Sequence, residues 1–452
     1  MRKLDVVLIH IYYPESGYGE KLNFPPLGLG YISEYLTEKD IDHLVIDMGL
    51  GYSQSYIIEK LREINPKWIG ISLNSLLINK TRDFIENIKN ALKNSKIVVG
   101  GPHVTTQEVK IFSDLPCIDY SIVAEGEKSF YELIINKNLP EIKGLIYKDK
   151  DGNIISNERR ITKNLDKLPF PRFQKFELNK YAQKIGPVIT SRGCPFKCIF
   201  CQQSSLLSKV WRGVSAKNVI ANLKYWQELG YKEIHVMDDN FAFDIKRLKE
   251  IVDLFEKEDF GDLKLVFIPG IRVSKDAKEI LMLLKRINID YISFGVETFS
   301  DQTLKFIKKG TTVSLIESTV RDAIELSFKV RLFFIIGFPY QTVDSIRNFF
   351  KFILKYPIYQ VRFFNLIPYE NTQLKEWIDK HGRFLFQSNE YMNYFKKFQD
   401  IPVFEAEHTL PAEIRTRELK FARYITQIIE ERSKFLFDEI DEEGRNLNEF
   451  KR

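Results

Sequence analysis

Cysteine is scarce in this chain: there are four in 452 residues. So few thiols exclude a disulfide framework and point to a reducing compartment. Long apolar runs are also missing. None approaches the ~20 residues that a membrane-spanning helix needs. The N-terminal MRKLDVVLIHIYYP has basic residues and a short apolar run but no small-residue cleavage site, so it reads as a first strand and not as a signal peptide. A cytoplasmic location is expected. There is no concentrated basic arm and no low-complexity tract. The net charge of +6 arises from 67 basic and 61 acidic residues spread along the whole length, which gives no footprint for nucleic acid.

Core-forming residues are plentiful. Hydrophobic residues make up 44% of the chain, and its length is too great for one ordinary core, so two or three domains are expected. Over residues 1–140, short apolar segments (LDVVLIH, HLVIDM, WIGISL, KIVVGG, YSIVAEG) alternate with segments of helical period (PPLGLGYISEYLTEKD, YIIEKLREIN, TRDFIENIKNALK, TTQEVKIFSDL). This pattern predicts an open parallel α/β sheet, Rossmann-like, covered on both faces. Ligands of such sheets lie beyond the carboxyl ends of the strands. Polar and glycine residues collect there: Ser72, Asn74 and Ser75 after the third strand, Gly100-Gly101-Pro102-His103-Val104-Thr105 after the fourth, and Glu125-Gly126-Glu127 after the fifth. The glycines permit either close approach to a ligand or simply tight turns.

Residues 141–180 read as a hairpin around Asp151-Gly152, followed by a linker stiffened by Pro169 and Pro171. From 181 to 372 the alternation resumes as six strand–helix units whose strands are GPVITSRG, KEIHVMDDN, LKLVFIPGIRV, IDYISFGVETF, KVRLFFIIGFP and IYQVRFFNLIPYE. Repeated units of this length predict a (βα)6 partial TIM barrel with its chemistry at the C-terminal strand ends. Residues 373–452 read as a helical C-terminal extension. Thr409 is its expected N-cap, Pro411 lies in the first turn, and the last dozen residues are expected to fray.

Three of the four cysteines stand in "TSRGCPFKCIFCQQS" as Cys194, Cys198 and Cys201, a C-x3-C-x2-C loop leaving a strand. Clustered thiols in a reducing compartment are most often metal ligands. Structural zinc wants four ligands, and no nearby histidine supplies the fourth. A redox dithiol leaves the third cysteine unexplained. A four-iron cluster normally takes four cysteines, so three leave one iron open.

With its aromatic Phe200 before the last cysteine, this motif resembles that of the radical S-adenosylmethionine (SAM) superfamily over roughly residues 140–370. The resemblance implies a 4Fe-4S cluster whose open iron binds SAM, cleavage of SAM to a 5'-deoxyadenosyl radical, and hydrogen abstraction from a substrate. It also implies roles for the other strand ends. Asp238, Asp239 and Asn240 would bind the SAM amino group, and Arg272 the SAM carboxylate or a substrate acid. Glu297 would face the ribose or the substrate, and Gly337-Phe338-Pro339 would let the backbone approach adenine. Glu297 and Asp239 are the residues expected in catalysis. Without the resemblance, Asp238 reads as a helix cap and "GFP" as a turn.

The resemblance extends forward. "FPPLGLGYISEYL", "GGPHVT" and "EGE" ahead of such a barrel look like the cobalamin-binding branch of that superfamily. The strand-end segments Ser72–Ser75, Gly100–Thr105 and Glu125–Glu127 would then border the corrin. The D-x-H-x-x-G motif of many cobalamin proteins is absent, since the corresponding region reads "LIHIYYPESGYGE". His10 is accordingly expected to be a packing or rim residue, and His103 to touch the corrin or its side chains.

The implied activity is methylation of an unactivated carbon with methylcobalamin and the deoxyadenosyl radical. A non-methylating rearrangement or oxidative cyclisation is the alternative, and a non-catalytic cobalamin or iron–sulfur sensor is a third reading. The implied electron donor is a low-potential flavodoxin or ferredoxin. The substrate (small molecule, lipid or protein side chain) and the oligomeric state are not legible. Aromatic residues between 340 and 410, Tyr340, Phe363 and Phe384 among them, suit either a substrate pocket or packing of the C-terminal region. Cys117, outside the motif, reads as a structural residue.

Overall fold

The structure, a computed structural model, describes residues 4–14, 22–75, 78–203, 209–287, 289, 291–393 and 396–437. Ser204 and the last dozen residues, expected to fray, lie outside the described residues. The chain forms two compact units, one of Met1–Ile189, Ser205–Lys232 and Ser388–Lys396, the other of Thr190–Ser204, Glu233–Gln387 and Lys397–Arg452.

The first unit is built on a sheet whose strands β1 (Val6–His10), β2 (His43–Asp47), β3 (Trp68–Ser72), β4 (Lys96–Gly100) and β5 (Tyr120–Ile122) run parallel in the order β2-β1-β3-β4-β5. Helices cover both faces, which is why strand residues Val6 to Ile9 are all apolar and at most 3% exposed. The predicted hairpin forms β6 (Leu145–Lys148) and β7 (Ile154–Ser156). It continues this sheet antiparallel from β5 and does not stand apart in a linker.

The segment TTQEVKIFSDL is not one helix. It breaks into Pro102–Gln107, a 3-10 turn Glu108–Lys110 and Ile111–Asp114, because Glu108 takes φ +50°. Thr105 and Thr106 also turn their hydroxyls back onto the Gly101 and Pro102 carbonyls, a bond that weakens helices. A further strand, β8 (Ile185–Val188), precedes the cysteine loop.

In the second unit, β9 (Glu233–Val236) pairs parallel with β10 (Lys264–Phe267), and β12 (Lys329–Ile336) lies parallel between β11 (Tyr291–Glu297) and β13 (Gln360–Asn365). Among the described residues, a bridge from Ile271 to Phe294 joins the chain after β10 to β11. Helices Ile245–Phe255, Ala277–Lys285 and Val343–Lys355 alternate with these strands. The helical stretch predicted after β11 is two helices, Asp301–Phe306 and Val313–Glu325, separated where Lys308 and Gly310 adopt positive φ. Along β12 every second residue is fully buried, and Phe334 stacks on Phe349 of the helix Val343–Lys355 at 4.2 Å. This period of two is what a barrel strand with one face under helices requires.

The C-terminal region is less purely helical than its sequence suggests. After the helix Gln373–His381, a ribbon pairs Gly382–Phe384 with Phe404–Ala406, and then the helix Ala412–Phe437 follows. Thr409 does not cap that helix, since its hydroxyl bonds to the Ala406 backbone and closes the ribbon's end. The long helix packs on the barrel elements: buried Glu418 accepts from Arg347 at 2.8 Å, and Phe421 lies 5.5 Å from Phe350. Several aromatics at 340–410 pack on neighbouring rings. Phe363 lies among Phe334, Phe349 and Phe350, and Tyr340 stacks on His408.

Candidate active site

The cysteine loop leaves Thr190 and Ser191, and its root is held by a buried carboxylate. Asp238 Oδ1 accepts from the Thr190 N–H at 2.6 Å, while Oδ2 accepts from the Thr190 and Ser191 hydroxyls at 2.6 Å each. Arg247, buried, donates to the Thr190 carbonyl at 2.6 Å. Burial pushes the Asp238 carboxyl upward, opposed by its bonds to Ser191 and Thr190 and by the charge of Arg247. As placed, Asp238 braces the root of the loop with both its oxygens, and the helix-cap reading gives way, since Asp244 caps the next helix. Asp239 remains beside the loop, accepting from the Gly193 N–H at 3.2 Å close to Cys194. Asn240 is buried and its carbonyl faces the Ser191 hydroxyl.

All three motif cysteines are free thiols. The loop is pinned on both sides of Ile199: its N–H donates to the Ile307 carbonyl, and its carbonyl accepts from the Leu374 N–H. Burial raises the Cys194 thiol and pushes that of Cys201 up to about 11. Two cations face the loop. Arg272 Nη1 stands 3.5 Å from Cys198 Sγ, with its guanidinium 3.7 Å from the centre of the Phe196 ring. Lys309 approaches the Phe200 ring at 6.0 Å and lies within electrostatic reach of Cys201.

Glu297 ends β11 at a bulge, with φ +66°, a conformation that costs a side-chain-bearing residue about 1–2 kcal/mol. Its Oε1 accepts from Lys309 Nζ at 2.7 Å, and both side chains are largely buried. Gly295 leaves the room this pair needs, as a Cβ there would meet Glu297 Oε1 at 2.6 Å. Phe338 packs edge-on against Phe200 at 5.2 Å, so the structure brings the "GFP" turn to the cysteine loop. Gly337 has φ +125°, open to glycine and strained for other residues. Gln341, buried, receives its N–H at 2.8 Å and donates to the Ile335 carbonyl.

In the first unit, three strand ends are laced into one edge. Leu73 N–H donates to Gly100 O, His103 N–H to Leu73 O, and Ala124 N–H to the Thr105 hydroxyl. Gly101, at φ +101°, is pressed against Leu73, where a Cβ would lie 2.7 Å from the carbonyl oxygen. His103 is 5% exposed. Its Nδ1 meets the Ser75 hydroxyl at 3.2 Å, and Nε2 has no hydrogen-bond partner among the described residues. Burial lowers its pKa to about 4, so the ring is neutral. The Glu125 carboxylate turns away to a buried ion pair with Arg212 at 2.6 Å and to the Thr162 N–H, while Glu127 opens the helix Glu127–Ile134. His10, expected as a packing or rim residue, hydrogen-bonds Asp47 at 2.7 Å, and Cys117 is half-buried beside the apolar core.

Lys309, Gln341, Arg247 and Arg212 were not legible as site residues. Arg247 is one polar residue on an amphipathic helix and the other three lie in turns or a short strand, so only tertiary contact separates them from surface neighbours. The one available signal was "KKGTT", where two lysines stand at a glycine break between helices.

The radical SAM superfamily profile matches residues 188–353 and the B12-binding domain profile residues 21–134. Together with the cysteine loop, these define a radical SAM enzyme preceded by a corrin-binding domain. An uncharacterized methyltransferase from Pyrococcus horikoshii is 30% identical over 394 residues, covering 85% of this chain and 84% of that one. An anaerobic magnesium-protoporphyrin IX monomethyl ester cyclase from Rubrivivax gelatinosus is 22% identical, over 77% of this chain and 65% of its own. Among solved structures, the radical SAM methyltransferase TsrM from Kitasatospora setae, with cobalamin and a [4Fe-4S] cluster bound, shares the fold. Its TM-score is 0.73 at 15% identity, over 95% of this chain and 89% of that one. The chain belongs to the cobalamin-dependent radical SAM enzymes.

The residues fit these cofactors. Among the described residues no three His, Cys, Asp or Glu side chains converge on one metal ion. Three free thiols on one pinned loop suit a multi-iron cluster, in which each thiolate takes its own iron. The buried, unpartnered Nε2 of His103 at the laced strand ends suits a ligand rich in amide groups, as the corrin rim is.

Proposed function

We propose that this enzyme transfers a methyl group to an unactivated carbon. The observation that carries the reading is the 30% identical methyltransferase relative, aligned across both domains. When bound, the cluster and SAM supply a 5'-deoxyadenosyl radical, and cobalamin supplies the methyl carrier. The chain's own residues position and shield. Cys194, Cys198 and Cys201 hold the cluster, and the buried Asp238 fixes the loop from which they project. Asp239 and Asn240 take the SAM amino group. Gly337 to Pro339 let the backbone approach adenine, and Phe200 against Phe338 excludes water. Glu297, held by Lys309, faces the ribose or the substrate. In the first unit, Ser72–Ser75, Gly100–Thr105 and the Glu125–Glu127 backbone border the corrin.

No described helix is long and apolar enough to cross a membrane. Free cysteines and an oxygen-labile cluster suit the cytoplasm, with a flavodoxin or ferredoxin as electron donor.

The test is product analysis. The anaerobically loaded enzyme, given SAM and a strong reductant, should release S-adenosylhomocysteine in amounts comparable to its bound cobalamin. Release of 5'-deoxyadenosine with no S-adenosylhomocysteine would instead mark a rearrangement or oxidative cyclisation.

A further inference from the structure

Arg272 was expected to meet an acid on SAM or on the substrate, yet in the structure its guanidinium is directed at a cysteine sulfur. Nη1 lies 3.5 Å from Sγ of Cys198, the buried member of the motif, and the guanidinium carbon lies 3.7 Å from the Phe196 ring centre. Phe196 is itself braced edge-on by Phe243 at 6.0 Å. Behind the cation, the Ile271 N–H donates to the Ser293 carbonyl at 2.7 Å, tying the preceding residue to β11. The side-chain contacts of Arg272 among the described residues are to the Cys198 sulfur and the Phe196 ring. A fixed cation in a half-buried site, aimed at a sulfur and stacked on an aromatic ring, is poorly suited to moving with a ligand. It is well suited to acting on the group the sulfur binds.

We propose that Arg272 raises the reduction potential of the iron–sulfur cluster by donating to the Cys198 thiolate, with Phe196 holding it there. The proposal rests on the radical SAM assignment. Reduction adds one electron from the low-potential donor and no proton, so the cluster becomes more negative by one charge. A guanidinium keeps its charge at any working pH, so it stabilises the reduced state more than the oxidised one. Hydrogen bonds to the ligating sulfurs and local net charge are established determinants of such potentials. The Phe196 stack keeps the donor aligned.

The test is an EPR-monitored redox titration of anaerobically reconstituted protein in the absence of SAM, with wild type, Arg272→Gln and Phe196→Leu compared at equal iron content. Arg272→Gln is expected to make the cluster about tenfold harder to reduce at a fixed poise, about 59 mV more negative for a one-electron couple. Phe196→Leu is expected to shift in the same direction by less. If Arg272→Gln does not retain a cluster, Phe196→Leu decides the matter: a negative shift supports the proposal and an unchanged potential overturns it. An unchanged SAM-free potential in Arg272→Gln, with loss of SAM binding alone, would make the residue a carboxylate clamp and overturn it as well. Wild-type protein that forms no cluster would instead defeat the radical SAM assignment.

Discussion

Lys309 Nζ lies 2.7 Å from Glu297 Oε1, and the two side chains are only 9% and 13% exposed. Removing one partner leaves the other charge buried without compensation, which typically costs about 3–5 kcal/mol. Lys309→Met and Glu297→Gln should each lower the thermal midpoint. The double variant should cost clearly less than the sum of the two, as a double-mutant cycle read by calorimetry would show.

The Asp238 clasp predicts an effect on metal content out of proportion to stability. Asp238→Asn cannot accept from all three donors of Thr190 and Ser191 that now converge on it. Groups that orient metal-binding segments from behind are commonly worth roughly 10- to 100-fold in metal affinity. Iron retained after a timed chelator challenge should fall accordingly, while far-ultraviolet circular dichroism stays near that of wild type.

His103 gives a pH signature. Its pKa is lowered by burial from 6.5 to about 4. Above 6.5 the ring is neutral whether the chain is folded or unfolded, and its contribution is fully present. As pH falls from 6.5 toward 4 only the unfolded chain gains the proton, so stability drops, on the order of a few kcal/mol across the window. Denaturant titrations at pH 7, 5.5 and 4.5 should show a fall in stability that His103→Gln makes shallower. His43, also lowered by burial, contributes in the same direction in both proteins.

Gly337→Ala tests the "GFP" turn. At φ +125° an alanine is strained, and its Cβ would stand 3.2 Å from that of Leu366. A loss of about 1–3 kcal/mol is expected, together with weaker SAM binding by isothermal calorimetry. Unaltered SAM affinity would remove this turn from the adenine site.

The alternating strands and helices were legible because their spacing follows directly from burial on one face or two. The cysteine loop was legible because spacing carries metal chemistry. What escaped was set by contacts distant in sequence. Asp238 and Asp239 are adjacent and alike in sequence, yet one serves Thr190 and Ser191 while the other stays at the loop's edge. Thr409 offered good capping chemistry, but the ribbon partner Ala406 claimed it first. Lys309 gained its meaning only from the bulge that turns Glu297 toward it.

The central claim is that one chain carries both a three-cysteine iron–sulfur cluster and a corrin. Iron, sulfide and cobalamin should be counted in anaerobically reconstituted wild type and in the Cys194→Ala, Cys198→Ala, Cys201→Ala triple variant. The expected result is about four irons and four sulfides with one cobalamin in wild type, and loss of iron with retention of cobalamin in the variant. A wild-type protein that builds its cluster but binds no cobalamin would contradict the account.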